Sequence, residues 1–167
     1  MVTFFHEDGS LNADGTAEFA AWLLDHGSDS ILVSGTTGEA PTMTYEEKEE
    51  LFTKVIARTK GKGQVIVGTG SNNTADVLEM NKLAEKVGAD GVLVVGPYYN
   101  KPSQEASTAI TRPLRTTPAL PIIHLQRTRT DRQQHPARHH CPAGPRMQEH
   151  RGHQGSRRRP AERNRGR

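Results

Sequence analysis

Three apolar runs in this sequence carry no polar interruption: Ile31–Val33, Val65–Val67 and Val92–Val95. A strand that is apolar at every position has no wet face, so such runs belong in a parallel sheet covered on both sides. Between them lie segments with apolar residues at helical spacing, and each run ends in a glycine-containing turn. Strand and helix in regular alternation define an α/β chain, either a barrel or a doubly wound sheet. No G-x-G-x-x-G follows any of the runs, which weighs against a dinucleotide site.

The intervening segments read as helices with definable ends. Asp14 is placed to cap a helix running to about His26, with Phe19, Trp22 and Leu23 on one face and Gly27 as its stop. Thr44-Tyr-Glu-Glu47 has the form of a capping box. Leu51, Phe52, Val55 and Ile56 follow at helical spacing, and Gly61 and Gly63 end that helix. The acidic run Glu46–Glu50 suits a helix N-terminus and reads as a solvated face rather than a metal site. Thr74 to Val87 forms a third helix, with Val77, Leu78, Leu83, Ala84 and Val87 inward and Gly88 closing it. Val2–Phe5 reads as a strand before a turn at His6–Gly9; the chain opens inside it, so a lead-in is expected to be missing.

Composition divides the chain in two. Met1–Ala106 holds 8 Lys+Arg against 16 Asp+Glu, a net of −8, whereas Ser107–Arg167 holds 14 against 3, a net of +11. The second part also has 7 of the 10 prolines, 6 of the 8 histidines and no aromatic residue. It cannot bury enough apolar surface to offset the entropy of ordering it, so residues 124–167 are expected to be a disordered tail. Cys141 is the one cysteine, which rules out an internal disulfide and fits a reducing, cytoplasmic setting. No apolar run of ~18 residues is present, so no membrane span is expected.

The chemistry concentrates just past the strands. Gly35-Thr-Thr-Gly-Glu39 follows Ile31–Val33, and ligands of α/β folds bind at the carboxyl ends of strands. Its glycines let backbone approach a ligand, and its N–H groups with the hydroxyls of Thr36 and Thr37 suit a small carboxylate. On spacing alone, a βα loop whose threonines merely cap the next helix fits equally well.

Four segments in order, Val2-Thr-Phe-Phe…Asp-Gly9, Gly35-Thr-Thr-Gly-Glu39, Gly68-Thr-Gly-Ser-Asn72 and Gly96-Pro-Tyr-Tyr-Asn-Lys-Pro102, together resemble the dihydrodipicolinate synthase family. These are pyruvate-dependent Schiff-base aldolases of TIM-barrel fold, acting in lysine and diaminopimelate biosynthesis. The resemblance covers Met1 to about Glu105; Phe4 departs from it, standing where the family usually has proline. It implies that residues 1–106 are the N-terminal part of a (β/α)8 barrel, about its first four to five βα units. It also implies a lyase that joins pyruvate to aspartate semialdehyde through a lysine imine, with no cofactor and no metal. Thr36 then belongs to a proton-relay triad, and Thr37 binds the pyruvate carboxylate. Tyr99 is the triad member lent across a homo-oligomer interface, with Tyr98 packed there. Without the family, Tyr98 and Tyr99 read as loop packing.

The resemblance stops before the imine lysine: Lys101 is the last lysine of the chain. The genetic code offers a reason. Possible codons for His124–Gln133, read one base later, permit Ile-Tyr-Asn-Val-Pro-Gly-Arg-Thr-Gly, the family's next motif. The same shift across Met147–Arg157 permits Gly-Ile-Lys-Glu-Ala, the imine-lysine strand. Residues 107–123 fit a partly frame-damaged helix and strand: the frame is lost near Ala106, regained near Pro118 and lost again near Ile123.

Other readings compete. Within the superfamily the runner-up is an N-acetylneuraminate lyase or keto-sugar-acid aldolase; the Tyr-Tyr-Asn-Lys-Pro loop favours the synthase. A non-enzymatic polyanion binder could use the basic tail, but that tail has no aromatic residue for base stacking and no lysine. His135, His139, His140, Cys141, His150 and His153 suggest zinc, yet Pro136, Pro142 and Pro145 interrupt any foldable ligand spacing. The frame reading makes a direct prediction. Fresh nucleotide sequence across the codons for Gln104–Met147 is expected to show an inserted or missing base near Ala106 and another near Ile123; an unaltered frame refutes it.

Overall fold

A computed structural model describes residues 1–100, Ser103, Glu105 and 120–125, all within a compact unit spanning Met1–His135. The expectations for residues 106–119 and for the tail beyond Leu125 lie outside the described residues. Four parallel strands form one sheet in sequential order: β1 (Ser30–Val33), β2 (Gln64–Gly68), β3 (Gly91–Val95) and β4 (Ile122–Leu125). The register pairs Ile31 with Val65, Val67 with Val92, and Val92 with Ile122. Strand β4 runs through His124 and Leu125, two residues into the segment expected to be tail.

Helices α1 (Ala13–Asp25), α2 (Tyr45–Thr59) and α3 (Thr74–Val87) connect the strands. Ile31, Val33, Val65, Val67, Val92 and Val94 share a single core with Ala17, Ala20, Leu24, Leu51, Phe52, Val55, Val77, Leu83 and Ala84 of the helices. All three helices therefore cover the same sheet face. Sequential strand order with helices on one face is an arc of a (β/α)8 barrel; a doubly wound sheet has helices on both faces and a reversal in strand order.

The opposite face departs from the sequence expectation. Leu32, Ile66, Leu93 and Val95 are only half-buried, and Ile123 and Leu125 are 37% and 43% exposed. The runs are apolar on both sides because a closed barrel covers both, the inner one by side chains from the other strands. Here one cover is incomplete. Nor is Val2–Phe5 a strand of the sheet. It makes one antiparallel bridge, Phe5 to Leu11, and lies beside β1 through the Met1 amino group on Leu32 O (2.8 Å) and Thr3 Oγ1 on Gly38 O (2.8 Å).

Two expectations about α1 need correcting. Its cap is Asn12, whose Oδ1 accepts from Gly15 N at 2.8 Å, and Asp14 instead sits in the first turn and pairs with Lys54. Its buried side is Ala13, Thr16, Ala17, Ala20, Ala21 and Leu24; of the expected face only Leu23 packs against the core, and the aromatic side does not. Small side chains let a helix axis come close to its neighbours, and α1 packs mainly on α2. Phe19 and Trp22 face outward, in a line Phe4–Phe19–Trp22–His26 with successive ring centroids 5.3, 6.0 and 4.2 Å apart.

The other two helices follow their sequence signals. Thr44 Oγ1 accepts from Glu47 N (3.2 Å) while Glu47 Oε2 accepts from Thr44 N (2.8 Å), a complete capping box. Asn73 caps α3, and Gly88 closes it at φ +82°, a conformation costly for any residue with a Cβ. Ion pairs join the helices across their outer surfaces: Lys54–Asp14, Arg58–Glu18 and Lys62–Asp25 between α2 and α1 or the loops that follow them, and Lys86–Glu49 between α3 and α2. The Arg58 guanidinium holds the Glu18 carboxyl below its ordinary range, and the Lys62 ammonium does the same for Asp25. No described helix is long and apolar enough to cross a membrane.

Thr44 offers a clean test of local stability. Thr44→Ala removes the side-chain acceptor of the box and is expected to cost about 1 kcal/mol, read as a lower urea midpoint at unchanged slope.

Candidate functional site

The carboxyl ends of β1, β2 and β3 lie at one rim of the sheet, and each opens into a segment singled out by the sequence. Glycine brings them together. A Cβ on Gly68 would lie 2.2 Å from Ser34 O, and one on Gly70 would lie 2.5 Å from Val95 Cγ1 and 2.6 Å from Val95 N. Thr69 N donates to Leu93 O at 3.1 Å, joining the end of β2 to β3. Behind the rim, Thr69 Oγ1 and Asn81 Oδ1 are 2.6 Å apart, both residues buried. The Asn81 Nδ2 has no partner among the described residues.

Gly35–Glu39 is a turn whose own backbone closes it: Gly38 N donates to Gly35 O at 3.0 Å and Glu39 N to Thr36 O at 3.1 Å. Thr36 and Thr37 are both exposed at its tip. The capping explanation for these threonines fails on geometry. The 3-10 turn Ala40–Thr42 has Glu39 at its cap position with no side-chain bond, and α2 is capped by Thr44. Neither threonine hydroxyl is engaged by another described side chain or backbone group. The tip thus offers hydroxyl donors just past a parallel strand, where an anion is well received.

Two residues beside the turn hold left-handed backbone without being glycine: Ser34 at φ +56° and Glu39 at φ +53°. Such conformations cost of order 1 kcal/mol or more and persist where surrounding structure enforces them. Ser34 is also buried, 3% exposed, with no partner for its hydroxyl among the described residues. The sequence reading, with a strand to Val33 and a turn from Gly35, gives Ser34 no role. Nothing in a serine before glycine signals a positive φ; the close approach of Gly68 to its carbonyl is a tertiary effect.

Tyr98 and Tyr99 follow β3 in a turn, with rings 6.3 Å apart and edge-on at 76°. Tyr98 is half-buried. Tyr99 is 92% exposed and is the third non-glycine residue at positive φ, +66°. Asn100 Nδ2 donates to Asn72 O at 3.2 Å, tying this turn to the loop after β2. Thr36 and Tyr99 lie in the loops after β1 and β3, strands with β2 between them, and no hydrogen bond joins the two residues. All four candidate residues lie in loops at one rim, and no Thr36–Tyr99 contact is made among the described residues.

Comparison with known proteins fits this arrangement. A model of the family described as dihydrodipicolinate synthetase matches residues 1–133. The 4-hydroxy-tetrahydrodipicolinate synthase of Moorella thermoacetica is 48% identical over 123 residues, which are 74% of this chain and 42% of that protein. A crystal structure of a dihydrodipicolinate synthase of Bacillus anthracis superposes with a TM-score of 0.76 at 38% identity, covering 81% of this chain and 46% of that one. The chloride-inhibited dihydrodipicolinate synthase of Acinetobacter baumannii, solved with pyruvate, gives a TM-score of 0.71 at 35% identity, over 74% and 43% of the two chains. The chain thus spans less than half the length of the relatives it matches.

The rim geometry predicts a severe effect of a single methyl group. Gly68→Ala sets a Cβ against the Ser34 carbonyl, which is backbone and cannot swing away; overpacking of this kind costs about 3 kcal/mol. Chemical denaturation of the variant is expected to show that loss, whereas Gly96→Ala, whose Cβ meets nothing within 4 Å, is expected to lose far less.

Proposed function

The chain belongs to the dihydrodipicolinate synthetase family, and from that premise we propose that it is the N-terminal part of a 4-hydroxy-tetrahydrodipicolinate synthase. In that reading the full-length lyase condenses pyruvate with aspartate semialdehyde in lysine biosynthesis, in the cytoplasm. The observation that carries it is the exposed Gly35–Glu39 turn, whose two threonine hydroxyls cap no helix.

The chemistry assigns each rim residue a task. A lysine amine adds to the keto carbon of pyruvate and water leaves, giving an imine. Loss of a methyl proton gives the enamine, whose carbon attacks the aldehyde of the second substrate. Every one of these steps moves a proton, and hydroxyl groups in series can carry it. Thr37, with the turn's backbone, holds the pyruvate carboxylate. Thr36 and Tyr99 belong to the proton relay. The exposure of Tyr99 and its missing contact with Thr36 support a relay completed between subunits, with Tyr98 packed at that interface. The homo-oligomer is therefore part of the proposal.

This chain as written supplies the carboxylate turn and one relay tyrosine but not the imine lysine. Its last lysine is Lys101, and no lysine follows it in the sequence. The proposal therefore separates two molecules: an active full-length synthase, and this polypeptide, which cannot form the imine.

Borohydride reduction in the presence of labelled pyruvate tests both. Reduction turns an imine into a stable secondary amine, leaving the pyruvate carbons on the protein. The 167-residue chain is expected to stay unlabelled, and a chain continued through the shifted-frame motifs is expected to take one label on the restored lysine. Thr37→Val in that longer chain is expected to weaken pyruvate capture about ten- to a hundredfold, the worth of a hydrogen bond to a charged group. Label on the 167-residue chain refutes the assignment of the lysine; an unlabelled longer chain refutes the function.

A further inference from the structure

A line of hydrogen bonds runs from the segment Val2–Phe5 into the Gly35–Glu39 turn. Thr3 is buried, 7% exposed, and its Oγ1 donates to Gly38 O at 2.8 Å. At the other end of that peptide unit, Glu39 N donates to Thr36 O at 3.1 Å. The Thr36 carbonyl belongs in turn to the peptide unit that carries the Thr37 N–H. C=O and N–H point opposite ways across a planar trans peptide, so the bond from Glu39 turns the Thr37 N–H away from the body of the turn. Gly38, Glu39 and Ala40 all donate their N–H groups to carbonyls of the turn itself, whereas the Thr37 N–H meets no acceptor among the described residues. The line thus begins at a buried hydroxyl and ends at an open donor.

Thr3 is itself held from behind. Phe4 N donates to Thr16 Oγ1 at 2.9 Å, and Asn12 N donates to Phe4 O at 2.9 Å. Thr16 is fully buried on α1, and its hydroxyl donates to Asn12 O at 2.8 Å. The segment also lies close against the turn: a Cβ on Gly38 would stand 3.1 Å from Met1 O and 3.3 Å from Thr3 Oγ1. Glu39, whose N–H continues the line, has left-handed backbone at φ +53°, which surrounding bonds must enforce. Hydrogen bonds in series polarise one another, so the Thr3 hydroxyl both fixes the direction of the Thr37 N–H and strengthens it as a donor. We propose that Thr3 is a positioning residue for the substrate carboxylate, acting through the Gly38–Glu39 and Thr36–Thr37 peptide units. The inference rests on the reading of this turn as the carboxylate site, and it adds the residue that aims the turn.

The test titrates the full 167-residue chain with pyruvate and follows the amide resonances of residues 36–39. Thr3→Val keeps the shape of the side chain and removes the donor. It is expected to shift the Thr37 amide nitrogen upfield in the free chain and to weaken pyruvate binding about fivefold, the net worth of one neutral hydrogen bond. Thr3→Ala, which sets no second methyl group against the Gly38 carbonyl, is expected to act alike. Thr3→Ser keeps the donor and is expected to restore both readings. Thr44→Ala is the control for lost stability. It removes the cap of α2, outside the hydrogen-bonded line, and is expected to leave both the affinity and the Thr37 resonance unchanged. Resonances at residues 36–39 that ignore pyruvate in the unsubstituted chain overturn the carboxylate reading and this inference together. Binding that survives Thr3→Val and Thr3→Ala undiminished overturns this inference alone, as does a loss that Thr3→Ser shares or Thr44→Ala reproduces.

Discussion

No side chain fits between the carboxyl ends of β1 and β2, and the described structure follows from that constraint. Gly68 meets the Ser34 carbonyl, and Gly70 meets Val95. The three parallel strand ends meet closely at one rim, where Ser34 holds a left-handed backbone conformation. Without that convergence, Gly35–Glu39, Gly68–Asn72 and Gly96–Asn100 would be three unrelated surface loops. With it, the loops that carry Thr36, Thr37, Tyr98 and Tyr99 all leave the carboxyl ends of a parallel sheet, where α/β proteins place their chemistry.

Much of this was legible beforehand, because parallel sheets and capped helices write their rules locally. The uninterrupted runs at Ile31, Val65 and Val92 became β1, β2 and β3, and Thr44 with Glu47 formed the box their spacing requires. What was not legible is tertiary. Asn12 outcompeted Asp14 as a cap because its side chain reaches Gly15 N, while the Asp14 carboxylate is drawn to Lys54 across the helix pair. Strand order, which decides between barrel and doubly wound sheet, has no signature in a single run.

Phe19 and Trp22 carry a different lesson. Periodicity placed them on an apolar stripe of α1, and the stripe exists, but the covered side of the helix is its alanine-rich one. An amphipathicity argument assumes that the chain contains its own cover. Neither the aromatic side of α1 nor Leu32, Leu93 and Leu125 on the sheet is fully covered among the described residues. The site shows the converse. By spacing alone Thr36 and Thr37 fit a capping role equally well; Thr44, whose box the sequence already marks, takes that role and leaves their hydroxyls unclaimed.

The ion pairs between helices, each weak on an exposed surface, act together as an index. Lys54, Arg58 and Lys62 advance by fours and meet Asp14, Glu18 and Asp25 in the same order. One helix laid against the other thus resembles a rule beside an unevenly graduated scale: a slip of one turn carries Lys54 to Glu18 but brings Arg58 level with Trp22. Reversing the sign of one graduation leaves like charges facing each other until its opposite number is reversed as well. Drift in this part of the sequence is therefore expected in coupled steps across the two helices, while the apolar layer beneath changes by volume alone.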